Sequence, residues 1–284
     1  MMTKEERIEI FKNTVRLVKA KGYSLRDTTV TFDDMENMNN NTKFYSKKVN
    51  IEHNLLPKYD TKVSVMDNDC LDAAQSLVNL GLKPAVLNMA SFHTPGGGVE
   101  RGSAAQEESI FRRTNIFMSL YQFHEVGTNY KIEQREERYP LEMHYGGIYT
   151  PNVTVFRKSE NDNYRVMSDP FKIDVITLPA VRKPSIDENG DVADWVKDIL
   201  TNKIKQILDI ALENGNDSLV LSAFGCGAYG TPPKIVAKLF YDIIYSDEYK
   251  NLFKEIVFAI INLPSTNGAH NPEGNFKPFK DIFE

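Results

Sequence analysis

The sequence predicts an α/β protein, a three-layer α/β/α sandwich around a mixed central sheet with an N-terminal helical extension. From about residue 60 onward, short β-branched and aromatic runs alternate with helical segments, which is the pattern of strands joined by crossover helices. One of these runs, Ala85–Ala90, is apolar except for Asn88, as expected of a strand buried on both faces.

The N-terminal region begins with a predicted helix. Thr3 and Glu6 have the spacing of a capping box, and apolar residues then recur at helical intervals over residues 4–21. Residues 33–62 are polar and include a run of asparagines, so we predict a loop with one short strand there.

The middle of the chain predicts a βαβα order. Val63–Met66 is a short strand, Asp69–Leu80 is a helix that stops before a glycine, and Ala85–Ala90 is the buried strand. Glu107–Glu125 keeps a helical apolar period and predicts one long helix. Residues 126–147 are irregular and highly charged, which favours a surface insertion.

The second half continues the alternation and ends on a short helix. The predicted strands are β-branched and aromatic, and one predicted helix opens with proline, a residue suited to the first helical turn. In chain order the elements are the strands Gly147–Phe156 and Phe171–Ala180, the helix Asp191–Asn214, the strand Ser218–Phe224, the helix Pro233–Ser246, the strand Glu255–Leu263 and the helix Phe276–Phe283.

Length and composition bound the function. At 284 residues, with no low-complexity linker, the chain predicts a single domain in which residues 1–60 are an accessory segment packed on the main domain, 61–284. The net charge of -5 argues against non-specific duplex nucleic-acid binding. The two cysteines and five histidines show no metal-ligand spacing, so neither metal nor cofactor is expected. The chain shows neither a signal peptide nor an apolar run of about 18 residues, so we expect a cytoplasmic protein with no membrane partner.

A glycine turn followed by two carboxylates is the strongest functional signal. Gly96-Gly97-Gly98 comes just after the buried strand, and Gln106-Glu107-Glu108 follows after seven residues, at the start of a predicted helix. Glycines alone fit a plain turn, and acids are common at helix starts because they complement the helix dipole. Together, at the carboxyl end of a strand, they predict a ligand site in which adjacent helical positions point about 100° apart, so only one glutamate can aim at a scissile bond.

The residue types suit glycosidic-bond cleavage. This reaction needs an acid that protonates the departing oxygen and a carboxylate that stabilises the charge developing on the sugar. Burial in a glycine loop raises the pKa of a carboxyl group, which suits it to the acid role. One glutamate can donate the proton first and activate water afterwards.

A second glycine loop follows the predicted strand Ser218–Phe224. Gly225-Cys226-Gly227-Ala228-Tyr229-Gly230 precedes a helix start, which is the arrangement of a phosphate-binding turn. The loop has no Lys-Ser/Thr ending, which disfavours nucleoside-triphosphate hydrolysis. Cys226 has no neighbouring base in the sequence, so a packing role is the better interpretation than a nucleophile.

Residues 88–98 with 106–109 resemble the signature of bacterial-type poly(ADP-ribose) glycohydrolases, which are members of the macrodomain fold. The hallmark of that family is a triple glycine, a short spacer and Gln-Glu-Glu. Residues 223–230 resemble the family's second loop, which grips the diphosphate of ADP-ribose, and similar sequence between the motifs extends the resemblance over about residues 60–265. Tyr229 stands where the family often has phenylalanine.

The resemblance implies a role for each matching residue. Glu108 would be the catalytic acid/base, Glu107 would hold and orient the scissile ribose, and Gln106 would support the loop. The residues expected to bind substrate are Asn88, Gly96, Gly97, Gly98, Val99, Gln106, Gly225, Cys226, Gly227, Ala228, Tyr229 and Gly230.

The function implied is exo-type hydrolysis of the ribose–ribose O-glycosidic bond of poly(ADP-ribose), with ADP-ribose as the product. Two alternatives stay open. The same chemistry could act on mono-ADP-ribosylated protein, nucleic acid or a metabolite, or the chain could be a non-catalytic macrodomain that binds ADP-ribose. The adjacent pair of glutamates favours an enzyme, because a pure reader does not need them.

Overall fold

The computed structural model describes residues 2–51, 57–263 and 267–284. Within these ranges the strands run in chain order as β1 (Gly22–Leu25), β2 (Thr28–Thr31), β3 (Lys43–Tyr45), β4 (Lys62–Met66), β5 (Pro84–Met89), β6 (Gly147–Arg157), β7 (Val166–Leu178), β8 (Ser218–Leu221) and β9 (Glu255–Ala259). The helices are α1 (Lys4–Lys19), α2 (Met35–Asn40), α3 (Cys70–Asn79), α4 (Gln106–Arg113), α5 (Phe117–Leu120), α6 (Val126–Asn129), α7 (Asp194–Glu213), α8 (Pro233–Ile244) and α9 (Phe276–Phe283).

The central sheet is mixed and has the strand order β3-β6-β7-β5-β8-β9-β4. The pairs β3/β6 and β6/β7 are antiparallel, whereas the pairs from β7 through β5, β8 and β9 to β4 are parallel. The short strands β1 and β2 form a separate hairpin. A mixed sheet with helices on both faces confirms the predicted fold class.

Successive side chains of the parallel strands pack alternately into two separate cores. On β5, Ala85 and Leu87 face α7, α8 and α9, while Val86 faces the opposite core, which contains α1, α3, α4 and α5. This alternation follows from the two-residue period of a strand. Since both cores are apolar, the central strands are mostly apolar, as the sequence predicted for Ala85–Ala90.

Helix α1 is confirmed and is held against the rest of the molecule. The Thr3 side chain accepts from Glu6 N and the Glu6 side chain accepts from Thr3 N, which completes the capping box. The Thr14 hydroxyl donates to the carbonyl of Arg112 at 2.5 Å, so α1 packs directly on α4. Residues 33–62 contain the predicted short strand, β3, at the edge of the sheet, and also helix α2, which was not predicted; residues 52–56 lie outside the described residues.

The long helix predicted over Glu107–Glu125 is wrong. Helix α4 ends at Arg113, and Thr114 takes an extended conformation and bridges to Val155 of β6. The Thr114 hydroxyl donates to Ile110 O at 2.8 Å and accepts from Ile116 N at 3.3 Å, so it satisfies backbone groups outside the helix. The apolar period continues past the break because α5 buries its own face.

The prediction of a surface insertion at 126–147 is wrong in part. The charged side chains are exposed at most positions, but Ile132, Tyr139 and Leu141 are buried. The segment is fixed to the preceding turn, since Tyr139 N donates to Phe123 O at 2.9 Å. It therefore contributes to the core that contains α1, α3, α4 and α5.

Candidate active site

The candidate site lies where two loops meet at the carboxyl ends of β5 and β8. Because these are neighbouring parallel strands, the loops that follow them start at the same edge of the sheet. The Tyr229 hydroxyl joins the two loops, since it accepts from Phe92 N at 2.9 Å and donates to Ala90 O at 3.3 Å. The fold thus brings together the two motifs that the sequence singled out.

Gln106 fixes the start of α4 to the end of β5. On β5, the residues that pair with β8 end at Val86, and Gln106 bonds to the backbone of β5 beyond that point. Its Oε1 accepts from Met89 N at 2.8 Å and its Nε2 donates to Leu87 O at 2.7 Å. The side-chain amide therefore takes the place of a neighbouring strand and sets the position of the two glutamates that follow.

Both carboxylate oxygens of Glu107 are held by the first loop. Oε2 accepts from Ser91 N at 2.7 Å and Oε1 accepts from Gly96 N at 2.9 Å. Burial raises the pKa of Glu107 to about 8; the two amide hydrogen bonds and Asn88 lower it, and neighbouring Glu108 raises it further. Glu107 is therefore a fixed, desolvated group whose pKa lies well above that of an ordinary glutamate.

Glu107→Gln is expected to change how stability depends on pH. The ordinary pKa of a glutamate side chain is 4.5. Between pH 4.5 and about pH 8, the folded protein therefore holds a proton on Glu107 that the unfolded chain releases. The Glu107 contribution to the free energy of unfolding therefore falls as pH rises through this window. Glutamine does not ionise, so the variant lacks this pH dependence. As pH rises, its free energy of unfolding should increase relative to that of wild type by at most roughly 1.4 kcal/mol per pH unit.

Urea unfolding of both proteins from about pH 5 to about pH 8.5 measures this difference. Glu5→Gln, at an exposed position on α1, is the matched control and should show no such trend. A difference between Glu107→Gln and wild type that stays constant across the range would contradict the raised pKa.

Glu108 is held through one oxygen only. Its Oε1 accepts from Gly98 N at 2.8 Å, whereas Oε2 is buried and has no hydrogen-bond partner in the described part of the chain. Both carboxylates converge on Gly97, which has φ of 53°; a Cβ there would lie 2.7 Å from Glu108 Oε1 and 3.1 Å from Glu107 Oε2. A side chain at this position would strain the backbone and displace the Glu108 oxygen that accepts from Gly98 N, so glycine is favoured here.

Three of the predicted binding residues have side chains that are almost fully buried. Asn88 is 0% exposed and donates to Thr177 Oγ1 at 3.2 Å. A hydrogen bond from its side chain also lowers the pKa of Glu107, so Asn88 stabilises that carboxylate. Val99 packs in the core at the start of a 3₁₀ turn. Cys226 is also buried, and burial raises the pKa of its thiol, so it packs and offers only its backbone to a ligand.

The second loop presents unused amide groups. It is held together by backbone bonds from Cys226 N to Ala223 O, from Gly230 N to Gly227 O and from Thr231 N to Gly225 O. The amides of Gly227, Ala228 and Tyr229 donate to no other atom of the described residues, and Gly227 and Ala228 are exposed. Successive free amides just before a helix are the kind of surface that can bind an anion.

Two side chains near the site were not predicted. The Tyr139 hydroxyl is buried without a partner among the described residues; burial raises its pKa, with further contributions from Glu107 and Tyr229. His270 Nε2 lies 2.8 Å from the carbonyl oxygen of Cys226 in the second loop. Neither position carries a sequence signal, because each is brought to the site by long-range packing.

The described residues contain no group of three or more His, Cys, Asp and Glu side chains arranged to hold a metal ion. Nor does any helix in residues 2–51, 57–263 and 267–284 combine the length and apolar character needed to cross a bilayer.

Known proteins resemble this chain over most of its length. The sequence profile "Microbial-type PARG, catalytic domain" matches residues 12–158, more than half of the chain. Poly(ADP-ribose) glycohydrolase from Thermomonospora curvata bound to the inhibitor ADP-HPD is 25% identical, with a TM-score of 0.76 over 97% of this chain and 98% of that one. The same enzyme in another crystal structure is 23% identical, with a TM-score of 0.79 over 98% of this chain and 100% of that one.

A more distant structure shows the same fold. Poly(ADP-ribose) glycohydrolase from Deinococcus radiodurans in complex with ADP-ribose is 22% identical, with a TM-score of 0.67 over 89% of this chain and 98% of that one. No curated protein matches the chain. The profile covers both glutamates and the first glycine turn. The chain therefore belongs to the microbial-type PARG family and carries the catalytic domain of a poly(ADP-ribose) glycohydrolase.

Proposed function

We propose that the enzyme removes ADP-ribose from the ends of poly(ADP-ribose) chains, with Glu108 as the general acid/base. The observation that carries this proposal is the unequal use of the two carboxylates. Both oxygens of Glu107 accept amide hydrogen bonds, whereas Glu108 Oε2 is buried with no partner in the described residues. The free oxygen is the one able to exchange a proton with a substrate.

The proton passes through Glu108 twice in each cycle. Protonated Oε2 gives its proton to the oxygen that links the two riboses, and the bond from that oxygen to the anomeric carbon breaks. The Glu108 carboxylate then takes a proton from water as the water oxygen bonds to the anomeric carbon. Glu108 is thereby reprotonated, and the products are ADP-ribose and a chain shorter by one unit.

Glu107 positions the sugar in this scheme. The pKa of about 8 would suit a proton donor too, but the loop amides already hold each Glu107 oxygen. A carboxyl group fixed in this way directs hydrogen bonds to the ribose hydroxyl groups and costs little reorganisation during the reaction. Asn88 and Gln106 hold its surroundings in place.

The second loop would bind the diphosphate of the same ADP-ribose unit. Its unpaired amides lie beside the glutamates, because Tyr229 joins the two loops. Amide donors suit a protein with a net charge of -5, since they bind phosphate without a basic field. The same net charge gives no attraction to a long anionic polymer, which favours chain ends as the substrate.

Incubation with two substrates tests this function. We expect free ADP-ribose from poly(ADP-ribose) and none from mono-ADP-ribosylated protein. Release of ADP-ribose from the mono-ADP-ribosylated protein alone would show that the enzyme hydrolyses mono-ADP-ribosylated substrates instead. Release from neither substrate by a protein that still binds ADP-ribose would indicate a non-catalytic macrodomain.

Gly227→Ala is expected to separate folding from binding. A Cβ at Gly227 would meet no atom within 4 Å, so the free energy of unfolding should change by less than about 0.5 kcal/mol. The methyl group would project from the exposed loop where a diphosphate has to approach the amides, so ADP-ribose affinity should fall about tenfold or more. Calorimetry and urea unfolding measure the two quantities, and unchanged affinity would show that the diphosphate does not lie on this loop.

A further inference from the structure

We propose that His270 is a positioning residue of the second glycine loop, and that its hydrogen bond to Cys226 turns the Gly227 amide toward the bound diphosphate. This inference rests on the proposed role of residues 225–230 in diphosphate binding. His270 lies 44 residues beyond Cys226, in a C-terminal turn formed by residues 267–275.

The direction of the hydrogen bond follows from its partner. His270 Nε2 is 2.8 Å from the Cys226 carbonyl oxygen, and a carbonyl oxygen can only accept. Nε2 must therefore carry the hydrogen, and His270 donates. A side chain with no N–H or O–H in this place could not hold the carbonyl.

The planar peptide between Cys226 and Gly227 links the His270 hydrogen bond to the orientation of the Gly227 N–H. The Cys226 carbonyl and the Gly227 N–H belong to one planar trans peptide, so they point in opposite directions. Fixing the carbonyl on His270 therefore directs the Gly227 N–H away from His270, on the opposite side of the loop. That amide has no acceptor in the described residues, and Gly227 is exposed.

The backbone hydrogen bonds of the loop leave this peptide out, because no backbone amide of the described residues donates to the Cys226 carbonyl. Gly227 adds no side-chain contact, and a Cβ there would meet nothing within 4 Å. The hydrogen bond from His270 is the contact that selects one orientation. A preset donor strengthens binding because the ligand does not have to order it.

The turn that carries His270 is itself anchored. Gly268 N donates to the side-chain oxygen of Asn271 at 2.6 Å, and buried Asn271 donates to the side-chain oxygen of Asn275 at 2.7 Å. Lys234, at the start of α8, pairs with Glu273 at 2.8 Å. Hydrogen bonds within the turn therefore hold its shape, and the exposed ion pair places the turn beside the helix that follows the loop.

Substitutions that move or remove the donor test this role. Glutamine can place an amide N–H near the position of Nε2, asparagine is too short to do so, and alanine has no donor. We expect His270→Ala and His270→Asn to weaken ADP-ribose binding about three- to tenfold in calorimetry, as for a lost hydrogen bond. KM for poly(ADP-ribose) should rise by a similar factor, kcat should change less than about twofold, and His270→Gln should restore most of the affinity.

His144→Ala, at an exposed position, is the control and should bind as wild type. Thermal unfolding of each variant identifies any that fail to fold, in which case the comparison of glutamine with asparagine decides. Equal affinity in all folded variants, or equal loss with glutamine and asparagine, would overturn the role of His270. If wild type itself does not bind ADP-ribose, the proposed function fails as well, and the two failures are thus distinguishable.

Discussion

Replacing Glu108 with glutamine is expected to lower kcat on poly(ADP-ribose) by about 10²- to 10⁴-fold, the usual contribution of general acid–base catalysis. Glutamine keeps an oxygen that can accept from Gly98 N, so the loop should keep its shape. The amide that replaces Oε2 cannot give up and regain a proton. Affinity for ADP-ribose should therefore stay within a few-fold of wild type, as measured by calorimetry beside a product-release assay.

Glu125→Gln is the matched control, because it makes the same chemical change at an exposed position and should leave kcat unchanged. Full activity in Glu108→Gln would rule out the proposed mechanism. A loss of ADP-ribose binding as large as the loss of kcat would mean that Glu108 acts mainly in binding.

Replacing Arg113 with methionine is expected to produce a large loss of stability. The Arg113 side chain is 1% exposed and pairs with Asp69 and Asp72 at 2.5 Å each, while its Nε donates to Arg157 O at 3.0 Å. Methionine fills a similar volume but leaves two neighbouring carboxylates unpaired. Removing one partner of a buried ion pair costs about 3–5 kcal/mol, and the partial exposure of Asp72 places this case near 3 kcal/mol.

Urea unfolding measures that loss, and Arg165→Met provides the control at an exposed position, with a change below about 0.5 kcal/mol. A change in Arg113→Met no larger than in the control would show that the ion pairs contribute nothing net to folding.

Much of the arrangement around Glu107 and Glu108 could be predicted from local sequence. Helical geometry separates adjacent side chains by about 100°, and the two carboxylates accordingly bond to different parts of the glycine loop. The βα alternation and the apolar character of Ala85–Ala90 were enough for the fold class, because both reflect burial of a strand on two faces.

Features set by distant contacts could not be predicted. Helix α4 ends where Thr114 bridges to Val155, and the sequence of residues 107–125 does not indicate that pairing. His270 reaches Cys226 across 44 residues, and Tyr139 is buried within a segment whose charges suggested a surface. In each case tertiary contacts outweigh a local pattern.

The dependence of the rate on the leaving group tests the central claim, that Glu108 gives a proton to the departing oxygen. An ADP-ribose that carries p-nitrophenol at the anomeric carbon needs little protonation to depart, and added azide attacks without a base. In azide, Glu108→Ala should lose about 10²- to 10⁴-fold on poly(ADP-ribose), but less than about tenfold on the aryl substrate, because that substrate needs no acid. Equal losses on the two substrates would contradict the assignment of Glu108 as the proton donor.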